Sequence, residues 1–101
     1  MKIAINNCYG GFSVSEDVYS ELGMVWDGYG YLDNKAFGVE SDNYLGYRSH
    51  HKLISAIEKI GDKAASGMFA EILIVDIPDG VEWEIYEYDG IETVHEKHRS
   101  W

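Results

Sequence analysis

The chain has 101 residues, eighteen acidic against eight basic, with a formal charge of −10 and a pI near 4.6. That is the size of one domain with a modest core, and so large an acidic excess excludes generic binding to DNA or RNA, whose affinity comes mostly from neutralising phosphates. The longest apolar run, Ile72-Leu73-Ile74-Val75, is too short to cross a bilayer, and a single cysteine excludes an internal disulfide framework. With no charged segment followed by an apolar run at the start, the expectation is a reduced, cytosolic chain without a membrane partner.

Lys2-Ile3-Ala4-Ile5-Asn6 reads as a first strand, and the loop Asn7 to Val14 carries the chain through Gly10-Gly11 to a helix over Ser15 to Leu22, ended by Gly23. Paired glycines let a backbone reach positive φ and approach a ligand, and Ser13 and Ser15 are N-cap candidates whose helix would aim free N–H groups at the loop. In outline that is an anion cradle. From Met24 to Tyr47 the periodic signal is lost in a Gly-, Tyr- and Asp-rich excursion of the kind that forms lids or binding loops. Ser49 then caps a helix from His50 to Ile60, where Leu53, Ile54, Ile57 and Ile60 make one apolar stripe. After a short turn from Asp62 to Ala65, the segment Ala70 to Ile77 is apolar on both faces and reads as a central strand, paired with the first.

Val81 to Tyr88 alternates before Asp89-Gly90, a strong hairpin signal, and Ile91 to Glu96 returns as its partner. A two-residue loop fixes the register: Tyr88 faces Ile91, Glu87 faces Glu92, Tyr86 faces Thr93, Ile85 faces Val94 and Glu84 faces His95. Trp83, Ile85 and Val94 then share a core face with Glu87 and Glu92. Tyr86, Tyr88, Ile91 and Thr93 share an aromatic and polar surface with Glu84 and His95, to be covered by the excursion or by a second copy in a homodimer. The expected architecture is α+β: a mainly antiparallel four-stranded sheet with two helices on one face, in the order β-α-α-β-β-β.

The candidate ligand-binding residues are Asn7, Tyr9, Gly10, Gly11, Phe12, Ser13 and Ser15 around the glycine loop, then Arg48, Glu92, His95, Arg99 and Trp101. Planar guanidinium groups match phosphate bidentately and stack on aromatics, and paired carboxylates such as Glu87 and Glu92 can accept from a ribose diol. The glycine pair lacks the Lys-Ser/Thr of a P-loop and the third glycine of a dinucleotide fingerprint, so it locates a site without naming a ligand. Cys8 lacks the local signature of a nucleophile, and a lone cysteine is commonly a small buried hydrophobe. No histidine spacing matches a strong metal motif, so neither a metal nor a cofactor is expected.

The opening Lys2 to Ser15, with its run Asn6-Asn7-Cys8-Tyr9-Gly10-Gly11-Phe12-Ser13-Val14-Ser15, and the closing Ile77-Pro78-Asp79-Gly80-Val81-Glu82-Trp83, Glu87-Tyr88-Asp89-Gly90-Ile91-Glu92 and His98-Arg99-Ser100-Trp101 resemble a small protein family widely carried in phage genomes. The resemblance covers both ends and the helix bearing Leu53-Ile54, but not the excursion from 24 to 47. It implies an early-acting accessory protein in the cytoplasm of an infected bacterial cell. One such role is a sponge that sequesters a nucleotide immune signal, such as a cyclic ADP-ribose isomer, an ADP-ribose conjugate or a cyclic dinucleotide, in a pocket often shared between subunits. Two alternatives remain open: a phosphodiesterase-like enzyme using His95 or His98 with Glu92 as acid and base, and an acidic inhibitor that binds a host protein by mimicking polyanion charge.

Overall fold

A computed structural model of the chain describes residues 1–97; the expected roles of His98, Arg99 and Trp101 lie outside the described residues. The first strand, β1 (Lys2–Asn6), pairs antiparallel with β2 (Ile72–Asp76), Lys2 opposite Asp76 and Asn6 opposite Ile72. Helix α1 (Glu16–Leu22) ends as expected at Gly23, whose φ of 71° lets its N–H turn back to the Ser20 carbonyl. Helix α2 (His51–Ile60) buries Leu53, Ile54 and Ile57 of the expected stripe, together with Ala56, and leaves Ile60 half-buried against the core. The expected turn at 62–65 is a third, one-turn helix, α3 (Asp62–Ala65). Together α1, α2, α3, β1 and β2 enclose one apolar core containing Ala4, Val14, Val18, Tyr19, Leu53, Ile57, Ala65 and Ile72. Burying a valine, leucine or isoleucine side chain there contributes roughly 1.5–3 kcal/mol.

The excursion has no strands. It carries two 3-10 turns, Lys35–Phe37 and Gly46–Ser49. Asp27 anchors its first part by accepting from the N–H groups of Tyr29, Gly30 and Tyr31, and this lowers the Asp27 pKa below the usual carboxylate value. Asn34 ties the rest together, donating to the Asn43 carbonyl and accepting from the Tyr47 N–H. Leu32, Phe37, Val39 and Leu45 pack against the core. At its far end the N-cap of α2 is His50 rather than Ser49: the His50 Nδ1 accepts from the Lys52 N–H, whereas the Ser49 hydroxyl donates to the Gly46 carbonyl.

The hairpin of β3 (Trp83–Tyr88) and β4 (Ile91–Glu96) has the register that its Asp-Gly turn specifies, with Asp89 and Gly90 both at positive φ. The expected single four-stranded sheet is not formed. Two separate two-stranded sheets are present, β1–β2 and β3–β4, and β2 lies at an edge rather than in the centre. The hydrogen bonds of Asn7 with Glu71 and of Ile77 with Met1 show that odd-numbered residues of β1 face β2. Even-numbered residues therefore face outward, where β4 would continue the sheet. Instead, the Ala4 carbonyl accepts from Arg48 Nη1 at 3.1 Å and the Asn6 N–H donates to Glu92 Oε1 at 2.8 Å. Two charged side chains stand in for the missing ladder. A third tie is Asn6, whose side-chain amide donates to the carbonyls of Cys8 and Gly90 and whose Oδ1 accepts from the Glu71 N–H.

Candidate functional site

Arg48 and Glu92 come from distant elements, the second 3-10 turn and β4, and meet as a bidentate pair with N···O distances of 2.7 and 2.9 Å. Arg48 is 3% and Glu92 6% exposed. The guanidinium also donates from Nε to the Tyr47 hydroxyl and lies 3.5 Å above the centroid of the Phe12 ring. Burial opposes its charge, but the hydrogen bond to Glu92 and attraction to Tyr47 and Glu92 hold its pKa above the ordinary arginine value. Four of its five N–H bonds are thus engaged within the protein, leaving one on Nη2.

This pair borders an open cleft of about 640 Å³, lined also by Tyr44, Leu45, Ile85, Tyr86 and Glu87. Glu87 uses one carboxylate oxygen to accept from the Gly90 N–H. It also lines a neighbouring depression of about 460 Å³ with Tyr9, Gly10, Gly11, Asp89 and Gly90, so the glycine loop and the cleft meet at this residue. Among the sequence candidates, Arg48 is in contact with both Phe12 and Glu92, and Tyr9, Gly10 and Gly11 adjoin this group through the hairpin turn.

The other candidates are placed elsewhere. Asn7 is exposed and directs its amide toward Glu71. Ser13 is buried and packs against Gly67, where a Cβ would lie 2.1 Å from the serine Oγ. Ser15 occupies the N-cap of α1 but makes no capping bond: its N–H donates to the Ala65 carbonyl, and its buried hydroxyl has no partner among the described residues. Glu16 and Asp17 already place negative charge in the first turn of this seven-residue helix. In the glycine pair Gly10 serves close backbone packing, whereas Gly11 supplies a positive φ in open space. A Cβ on Gly10 would lie 1.8 Å from the Phe69 carbonyl oxygen, and one on Gly90 would lie 2.3 Å from that of Tyr9.

His95 lies on the opposite hairpin face from Glu92, since the two are three residues apart on one strand. Its ring stacks on Tyr86 at 4.4 Å and bonds to the Thr93 hydroxyl. The acid–base pair of the enzymatic alternative is therefore not assembled from Glu92 and His95. Cys8, half-buried, borders a cavity of about 520 Å³ with Asp62, Ser66 and Leu73. Among the described residues no three histidine, cysteine or acidic side chains are grouped to hold a metal ion, and no helix is long and apolar enough to cross a membrane.

Sequence reasoning missed Asn6, Tyr44 and Tyr47. Asn6 is fully buried and joins β1, β2 and the hairpin turn; a polar residue closing an apolar strand beside a glycine loop was its only signal. Tyr44 and Tyr47 were hidden in the aperiodic excursion. Compared with protein-family models, with curated proteins and with solved structures, the chain matches none.

Proposed function

We propose that the chain is a non-enzymatic binding protein that sequesters a nucleotide-derived bacterial immune signal in the cleft between the 44–48 turn and the hairpin. The observation that carries this reading is the convergence of Tyr44, Arg48, Glu87 and Glu92 on one open cleft. A base stacks on an exposed tyrosine, carboxylate oxygens of Glu87 and Glu92 accept from ribose hydroxyls, and the remaining Nη2–H of Arg48 meets an anionic oxygen. Arg99 is the second cation this reading assigns to the ligand.

The test is to incubate the purified chain with cyclic ADP-ribose isomers, ADP-ribose and cyclic dinucleotides, remove unbound material, denature by heat and identify what is released by mass spectrometry. An intact nucleotide recovered stoichiometrically supports sequestration. A cleaved product makes the chain an enzyme, and retention of none of the panel overturns the reading. With a ligand in hand, Arg99→Ala abolishes binding while the fold survives; unchanged affinity removes that arginine from the site.

A further inference from the structure

The hairpin's outer face, which meets the cleft only at the Tyr86 rim, carries chemistry that sequestration does not use. Between Lys63 and Lys97 the chain has nine carboxylates and no lysine or arginine. Among the described residues, Glu92 is matched by Arg48, and Asp76 and Asp79 by the amino terminus; Glu84, Glu87 and Asp89 have no cationic partner. Of these, Glu84 shares the outer face with Tyr86, 54% exposed, and Tyr88, 78% exposed. Tyr86 is held in place: its hydroxyl donates to Glu84 at 2.7 Å, which raises the phenol pKa, and its ring stacks on His95. Rigid, exposed tyrosines cost little entropy on binding, and carboxylates at their edge select cations.

We propose that this face is a docking surface for an arginine-bearing segment of another protein. Arginine fits better than lysine because its planar guanidinium can stack on a tyrosine while bonding a carboxylate such as Glu84, whereas an ammonium is a compact point charge. Charge complementarity names the partner: a chain of −10 attracts a basic segment and repels a second copy of itself.

The experiment titrates the full chain into fluorescent ten-residue peptides of alternating Arg-Gly and Lys-Gly and reads anisotropy at low and physiological salt. Saturable binding that prefers the arginine peptide and weakens with salt is expected, with Tyr86→Ala/Tyr88→Ala weakening it about tenfold. The control is Tyr29→Ala/Tyr31→Ala, which removes two other exposed tyrosines, stacked on each other at 5.8 Å, and leaves affinity unchanged. Glu84→Gln, which keeps both rings, also weakens binding. Equal affinity of both tyrosine variants, or no preference for arginine, would show diffuse charge attraction and overturn the proposal. So would self-association in sedimentation that Tyr86→Ala abolishes, since the face would then be an interface between copies.

Discussion

Two antiparallel strand pairs of nearly equal length are held in opposite ways. The β1–β2 pair is part of the apolar core, with Ala4 and Ile72 buried among residues of three helices. The β3–β4 pair contributes no residue to that core or to the apolar residues packed around it. Its attachment is polar: Glu92 to Arg48 and Asn6, Gly90 to the Asn6 amide, and the Trp83 carbonyl to the Asn43 amide. Apolar burial is tolerant of detail, because any side chains of suitable volume contribute. A buried ion pair is not, since each charge depends on its partner to offset desolvation. The hairpin is accordingly the element whose docking depends on single residues.

The sharpest way to break this comparison is Glu92→Ala, which strands the Arg48 charge in the interior. We expect a loss of about 3–5 kcal/mol in urea unfolding. The double variant Arg48→Met/Glu92→Leu, which leaves no buried charge, recovers only part of that loss, because the Asn6 N–H and the Ala4 carbonyl still lose their partners. If the single substitution is as mild as a surface change, the pair does not hold the hairpin.

Leu53→Ala tests the other half. It should cost roughly 2–5 kcal/mol by leaving a cavity in the core. The two differ in hydrogen exchange: Leu53→Ala raises exchange throughout the described fold, whereas Glu92→Ala raises it first in Trp83–Tyr88 and Ile91–Glu96. Uniform exchange in both variants would mean that the hairpin and the core open as one unit.

A smaller effect sharpens the junction between the halves. Gly90 has a φ of 90° and its missing Cβ sits against the Tyr9 backbone, whereas Gly11, at 82°, has open space around it. Gly90→Ala therefore combines backbone strain of about 1–2 kcal/mol with a clash, while Gly11→Ala incurs the strain alone. Thermal unfolding of the two variants gives the difference, and equal midpoints would show that the turn can move away from the loop.

The smallest effect is one of pH. Burial, then repulsion from His51 and Lys52, lowers the His50 pKa below its ordinary 6.5. Between that value and the lower folded one, the unfolded chain binds more protons, so the contribution is complete above 6.5 and is lost as pH falls through this window. Protonation also removes the Nδ1 acceptor that caps α2. His50→Asn, a good N-cap that does not titrate, should flatten the stability change between pH 7 and 5 in thermal melts; an unaltered slope would assign it to other groups.

The sequence by itself determined the local elements. Alternation and the Asp89-Gly90 turn specified the hairpin register, the spacing of Leu53, Ile54 and Ile57 specified the buried face of α2, and Gly23 specified the end of α1. It also pointed to Arg48 and Glu92 as residues of consequence, and to Tyr86 and Tyr88 as an outward aromatic face. Only the tertiary structure decided that Arg48 and Glu92 meet each other, that their side chains replace a backbone ladder on β1, and that β2 is an edge strand. The reason is range. Periodicity and turn chemistry act over a few residues, whereas the ion pair closes 44 positions of chain and draws its partner from an excursion with no period to read.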